Sequence, residues 1–246
     1  MSRLPLRRAR RASVVATLAA VLAALLPTPA HAAVPIGNLP GWTQVVHEDF
    51  NGALNTARWG LYDGPTDTYG MWSPKHLEMH GGQAWLHGYR EGGNFVTAGM
   101  MEVTNPQLYG KYLVRARFDR GAGISHVLIL WPTAETWPPE VDFSEGESRT
   151  RTMATSHWDA NNDQTHLFVG VDLTQWHTYG VEWTPTRLTY TLDGHAWGSM
   201  TGLAVPHIPM NLAIQTQALR DVGPVSLATP RDVTYAVDWV SIYRYH

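Results

Sequence analysis

The chain has 246 residues, with 18 Lys+Arg against 21 Asp+Glu, no cysteine, and aromatics weighted to Trp (11) and Tyr (10) over Phe (5). The missing cysteine excludes a disulfide framework and thiolate chemistry, and the acidic balance argues against nucleic acid or an anionic membrane surface as partner. Aromatic rings with a polar edge suit surfaces that stack on flat partners, sugars among them, although most of the eleven Trp are expected to fill a β-sandwich core.

Residues 1–32 read as a basic stretch (MSRLPLRRARR), an apolar run (ASVVATLAAVLAALL) and a small-residue end, PTPAHA, with Ala30 and Ala32. That three-part pattern predicts a secretory signal peptide cut after Ala32, and hence a secreted, extracellular product. The apolar run falls short of the ~20 residues that a membrane helix needs. Arg3, Arg7, Arg8, Arg10 and Arg11 lie in this segment and no acid does, which leaves 13 basic against 21 acidic groups in 33–246, a charge of −8. A 33–246 segment is long enough for one domain with a large core. It is expected to act as a monomer, with no nucleic acid and no membrane as partner.

Strand signals follow one another from there. HLEMHGGQAWLHGY (76–89) reads as two strands around Gly81-Gly82, and 108–118 alternates Tyr112, Val114, Ala116 and Phe118 against Lys111, Leu113, Arg115 and Arg117. Residues 177–198 read as three strands joined by turns at Pro185 and at Asp193-Gly194, and 235–245 closes the chain with another alternating strand. Short helical turns are expected at most around 173–175 or 224–227. Many short strands between Gly, Pro and Asp turns predict an all-β sandwich in one domain.

The densest chemistry lies in TWPPEVDFSEGES (136–148), where Glu140, Asp142, Glu145 and Glu147 crowd one short strand. Alternation puts Glu140 and Asp142 on one face and Val141 and Phe143 on the other. Strict alternation would then bury Glu145, which costs several kcal/mol for an unpaired carboxylate. A β-bulge at Phe143–Ser144 would return Glu145 to the acid face, with Gly146 easing the exit. Such a row fits a retaining glycosidase, whose two carboxyls stand about 5–5.5 Å apart and whose mutual repulsion keeps one protonated. It also fits a Ca²⁺ cluster or a solvated acidic edge, and spacing alone leaves all three open. His76 and His80 have a zinc-like spacing, but on a strand rather than a helix and without a third ligand.

WPPEVDFSEGE resembles the E-[IV]-D-x-x-E signature of glycoside hydrolase family 16. Further blocks resemble the family in its order: TAGMMEV (97–103), LYGKYLVRARF (108–118), WHTYGVEWTPTRLTYTLDG (176–194), IPMNLAI (208–214) and YAVDWVSIY (235–243). Together they cover roughly residues 42–246 and place 33–246 as a family 16-like catalytic domain. The resemblance implies a jelly-roll, concanavalin A-like sandwich of two antiparallel sheets with a concave sugar-binding cleft. Carried over residue by residue, it implies Glu140 as nucleophile, Glu145 as acid/base and Asp142 between them as a tuning group; Glu147 lies beyond the signature. The two residues before the last Glu match the laminarinase- and agarase-like branch.

The same resemblance implies substrate contacts from His157 and Asn211, and adds Arg115 as a matched Arg, a candidate for substrate binding but expected first to pair with a carboxylate in the sheet. Trp131 and Trp137 flank the acids as candidate sugar platforms, and Gln215 is a candidate hydrogen-bond donor. Glu48 and Asp238 are implied as ligands of a structural calcium; no other cofactor is expected. Departures from the family pattern stand at Pro139, Leu113, the 126–132 strand and Gln215-Thr216. The activity implied is endo-acting retaining hydrolysis of a polysaccharide, β-1,3- or mixed-linkage glucan first. Transglycosylation on the same scaffold and non-catalytic carbohydrate binding are the alternatives, and retention of all three acids favours an enzyme.

Overall fold

A computed structural model describes residues 33–66, 69–119, 123–218 and 232–246. The expected leader at 1–32 and the expected turn at 224–227 lie outside the described residues. In chain order the strands begin with β1 (Trp42–Glu48), β2 (Trp59–Leu61), β3 (Gly64–Pro65), β4 (Met71–Trp72), β5 (Leu77–His80) and β6 (Gln83–Glu91). They continue with β7 (Asn94–Thr97), β8 (Gly99–Glu102), β9 (Gly110–Phe118), β10 (Ile124–Pro132), β11 (Glu140–Gly146) and β12 (Arg151–Trp158). The last are β13 (Asp163–Gly170), β14 (His177–Thr184), β15 (Arg187–Leu192), β16 (His195–Thr201), β17 (Met210–Ala218) and β18 (Asp232–Tyr245).

They form two stacked sheets. One runs β16-β15-β14-β9-β18-β6-β7-β4-β3, with β1 also on β18 and β5 also on β6; the other runs β13-β12-β11-β10-β17-β8-β2. Pairing is antiparallel except between β4 and β7, which run parallel. The turns read from sequence hold: β5 and β6 fold at Gly81-Gly82, and β15 and β16 fold at Asp193-Gly194. Residues 173–175 make a hydrogen-bonded turn, Gln175 N donating to Asp172 O at 3.0 Å, rather than a helix. The helical turns that do form among the described residues, both 3₁₀, are Pro74–His76 and Gly202–Ala204.

Alternation explains the core. Tyr112, Val114, Ala116 and Phe118 of β9 are buried as expected, and Phe143, Tyr190 and Tyr235 join them between the sheets. The expectation that most Trp residues fill the core is corrected, because among the described residues only Trp59, Trp183 and Trp239 are buried. Tyr, Phe and branched aliphatic chains supply the volume instead, leaving indole rings at surfaces and at the cleft. No helix among the described residues is long and apolar enough to cross a membrane.

Candidate active site

The acid strand β11 lies inside the seven-stranded sheet, between β10 and β12. Asp142 pairs with Thr155 and Glu145 with Met153, so three steps on β11 oppose two on β12. On the other side Ile129 faces Asp142 while the next residue back, Leu128, faces Ser144. Phe143 is therefore the extra residue of a bulge, at the expected place. Val141 and Phe143 pack into the core while Glu140, Asp142 and Glu145 line the cleft.

A buried polar cluster holds the bulge from behind. Ser144 Oγ lies 3.0 Å from His126 Nε2 and 2.9 Å from Thr152 Oγ1, and Thr152 Oγ1 donates to the Glu145 carbonyl at 3.2 Å. Ser125 Oγ accepts from Gly146 N at 3.2 Å. Burial drives the His126 pKa down to about 3, so the imidazole is neutral and brings no charge under the acids. Gly146 has φ 125°, a left-handed value that a side chain would strain, and it ends the bulged segment.

The acids occupy a cleft of about 980 Å³. Asp142 is 1% exposed, and no donor reaches either of its oxygens within hydrogen-bonding distance. Burial first, then the charges of Glu145 and Glu140, raise its pKa well above the carboxylate range, and a retained proton can be shared with Glu140. Burial likewise raises Glu145, with Glu140 adding to the shift and the Thr155 hydroxyl and His157 opposing it. Trp137 Nε1 donates to Glu140 Oε2, orienting that carboxylate, while the indole itself is 47% exposed. His157 Nε2 is 3.6 Å from Asp142 Oδ2, and its Nδ1 sits 2.7 Å from Asn162 Oδ1, which fixes the ring. The donor to the Asn162 amide oxygen must be Nδ1–H, so a neutral His157 turns its Nε2 lone pair to Asp142.

The other expected residues divide. Trp131 and Gln215 line the cleft, with Trp131 Nε1 donating to Glu135 Oε2 at 2.9 Å. Asn211 stands opposite Trp131 on β17, in the same row, but is buried, its amide oxygen accepting from Thr133 Oγ1 and its nitrogen donating to cleft-lining Met101 Sδ. Arg115 pairs with a carboxylate in the sheet, as expected first: it belongs to β9 in the opposite sheet, where its Nε donates to Asp238 Oδ2 at 3.1 Å and it lies over Trp176, which corrects its place among the substrate-binding residues. Glu147 is exposed beyond the strand. The residues that sequence reasoning missed include Tyr62 and Asp63 of the β2–β3 connection, Trp72 of β4, Met101 of β8 and Gln217 of β17. Gln217 follows Gln215 at strand spacing and could have been found; the loop residues carry no such signal. Tyr62 packs edge-on to Trp72 with ring centres 5.0 Å apart, directly over Gly99, where a Cβ would come within 2.3 Å of the Tyr62 ring.

Metal binding can be weighed on donors. Among the described residues Glu140, Asp142 and His157 bring ligand atoms within 4.8 Å of one another, two carboxylates and an imidazole that could together meet a cation. Glu48 is engaged by Trp59 Nε1, Phe50 N and Arg58, and Asp238 by Arg115, so both carboxylates expected to hold calcium already face a guanidinium. His76 is buried, stacked on Tyr89 and bound to Glu91, while His80 is exposed, which leaves no zinc pair.

A jelly roll with paired carboxyls on one strand across an open, Trp-lined cleft is the architecture of a polysaccharide-processing domain. The family model for "Glycosyl hydrolases family 16" matches residues 65–241, and the chain belongs to that family. A curated relative, the endo-1,3-1,4-beta-glycanase ExsH of Rhizobium meliloti (strain 1021), is 29% identical over 157 residues, 61% of this chain and 32% of its own length. The chain thus spans about a third of that relative's length. Among solved structures, the catalytic domain of an endo-1,3-beta-glucanase (laminarinase) from Thermotoga petrophila RKU-1 superposes with a TM-score of 0.73 at 16% identity, over 83% of this chain and 98% of that one. The Bacillus licheniformis beta-glucanase gives 0.71 at 19% identity, over 82% and 98%.

Proposed function

We propose that this protein is a secreted, endo-acting retaining hydrolase of a β-linked glucan, with mixed 1,3-1,4 and 1,3 linkages the leading substrates. The observation that carries the reading is the bulge, which puts Glu140, Asp142 and Glu145 on one face while burial raises the pKa of Asp142 and Glu145. Glu140, oriented by Trp137, attacks the anomeric carbon and forms a glycosyl-enzyme bond as the glycosidic C–O bond breaks. Glu145, whose pKa burial raises, donates its proton to the departing oxygen. A water then gives its proton back to Glu145 and displaces the glycosyl group from Glu140. Asp142, whose pKa burial and the neighbouring acids raise, can hold a proton toward Glu140 and so spares the row a further negative charge. Nucleophile and proton both come from the chain, so no cofactor is required.

Trp131, Trp137, Tyr62 and Trp72 give the sugar rings flat faces to stack on, and Gln215 and Gln217 offer amides to hydroxyls. The glucan preference rests on the activities for which the relatives are named and on the family. Secretion rests on the 1–32 pattern alone. The test is release of reducing ends from laminarin, barley β-glucan, lichenan, agarose and xyloglucan, with Glu140→Gln as the matched control. Oligosaccharides from a β-glucan that the variant does not release support the reading. Equal release by the variant overturns the assignment, and binding without cleavage identifies a carbohydrate-binding protein.

A further inference from the structure

Thr155 and His166 take no part in the reading above, yet both stand on the cleft face of the acid sheet. Asp142, Thr155 and His166 are directly opposed across β11, β12 and β13, so their side chains share one row. Thr155 Oγ1 donates to Glu145 Oε1 at 2.5 Å, and the same oxygen lies 3.1 Å from His166 Nδ1. A threonine hydroxyl has one proton. With that proton committed to Glu145, Thr155 can only accept from His166, so Nδ1 of the imidazole must carry a hydrogen.

We propose that Thr155 and His166 are positioning residues for Glu145: His166 sets the direction of the Thr155 hydroxyl, and that hydroxyl holds and tunes the acid/base carboxyl. The inference rests on the reading of Glu145 as the acid/base. It supplies what that role needs twice per turnover. While Glu145 is a carboxylate, the hydroxyl donates to it and stabilises the charge. Once Glu145 is protonated, its own O–H can donate to Thr155, whose proton turns to His166 when Nδ1 is bare. One rotatable hydroxyl thus serves both protonation states, and His166, exposed on the edge strand, can exchange its proton with solvent.

The titratable groups facing Glu145 are few. Glu140 and Asp142 come from its own strand, His157 from β12, and His166 from β13 through Thr155. Val127 of β10 and Gln215 of β17 complete its row without titrating, and Arg151 of β12 lies over the Phe168 ring further along. The Thr155 donor is the largest influence on Glu145 that opposes burial. Removing it therefore raises the Glu145 pKa, so the basic limb of kcat/KM moves up.

The experiment is the pH profile of kcat/KM on the polymer that the protein cleaves, for wild type, Thr155→Val, Thr155→Ser and His166→Ala, with Glu140→Gln as control. Thr155→Val is expected to move the basic limb up by about one pH unit. Thr155→Ser should restore it, and His166→Ala should move it the same way by less. A Thr155→Val profile that is scaled down with its limb unmoved overturns the proposal. Should Thr155→Val fail to fold, the exposed His166→Ala decides alone, an unmoved limb overturning it. A ¹⁵N spectrum in which His166 Nδ1 is bare in the free enzyme at a pH where Glu145 is ionised also overturns it. Failure of the underlying reading looks different, because Glu140→Gln would then cleave as well as wild type.

Discussion

Asp142 and Asp238 are buried almost equally, at 1% and 3% exposure, in opposite sheets and in opposite company. Asp238 meets the Arg115 guanidinium at 3.1 Å, so its charge is compensated where it lies. Asp142 meets Glu140 and Glu145, with no guanidinium or ammonium beside it and the His157 ring 3.6 Å away. A buried carboxylate beside arginine is an element of structure. One beside two more carboxylates destabilises the fold as an anion and is retained for the proton it keeps. The cleft sheet carries its electrostatic strain on a single strand, and the facing sheet neutralises its own.

The largest expected effect falls on the structural aspartate. Arg115→Ala takes a cation from beside buried Asp238 and should cost about 3–5 kcal/mol of stability by denaturant unfolding. Residual kcat at a temperature where the variant stays folded should match wild type, and a selective loss of kcat would return Arg115 to the substrate. Asp142→Asn should act the other way, dropping kcat on the order of 10²-fold while raising Tm at pH 7. The sign follows from linkage: a carboxyl with a folded pKa above its unfolded value binds more protons folded, so stability falls as pH rises from about 4 through the raised value. The variant should lose that slope, its Tm advantage shrinking to nothing below about pH 4. A gain at pH 7 would amount to about 2–4 °C per kcal/mol relieved. The smallest effect belongs to Trp137→Phe, which keeps a ring to stack on sugar but loses the N–H on Glu140 Oε2. It should lower kcat by roughly tenfold, the cost of one charge-assisted hydrogen bond, with KM changed less; the reverse split in steady-state kinetics would make Trp137 a platform only.

Part of this site is legible in the sequence through local chemistry. Glu145 cannot be buried without a partner, so strict alternation has to break, and it breaks at Phe143. Alternation also sets Arg115 on the face of β9 opposite Tyr112, but which sheet faces the sugar is a matter of long-range pairing, and no spacing within 108–118 reports it. Asn211 shares a row with Trp131 and reads as cleft-facing; Thr133 and Met101, from other strands and loops, hold it under cover. The neutral cluster of His126, Ser144 and Thr152 unites three strands through residues that look ordinary in their own segments. Tyr62 and Trp72 lie in short strands and connections without periodicity, where no pattern predicts which way a ring points.

Glu140 and Glu145, on the proposed mechanism, flank one sugar and act by double displacement. The most direct test is a ¹H NMR time course of the anomeric protons as the protein cleaves a β-glucan oligosaccharide. The β-anomer should appear first and the α-anomer only later by mutarotation, with neither produced by Glu140→Gln. Initial release of the α-anomer would mean inversion by direct attack of water, and would contradict the role given to Glu140.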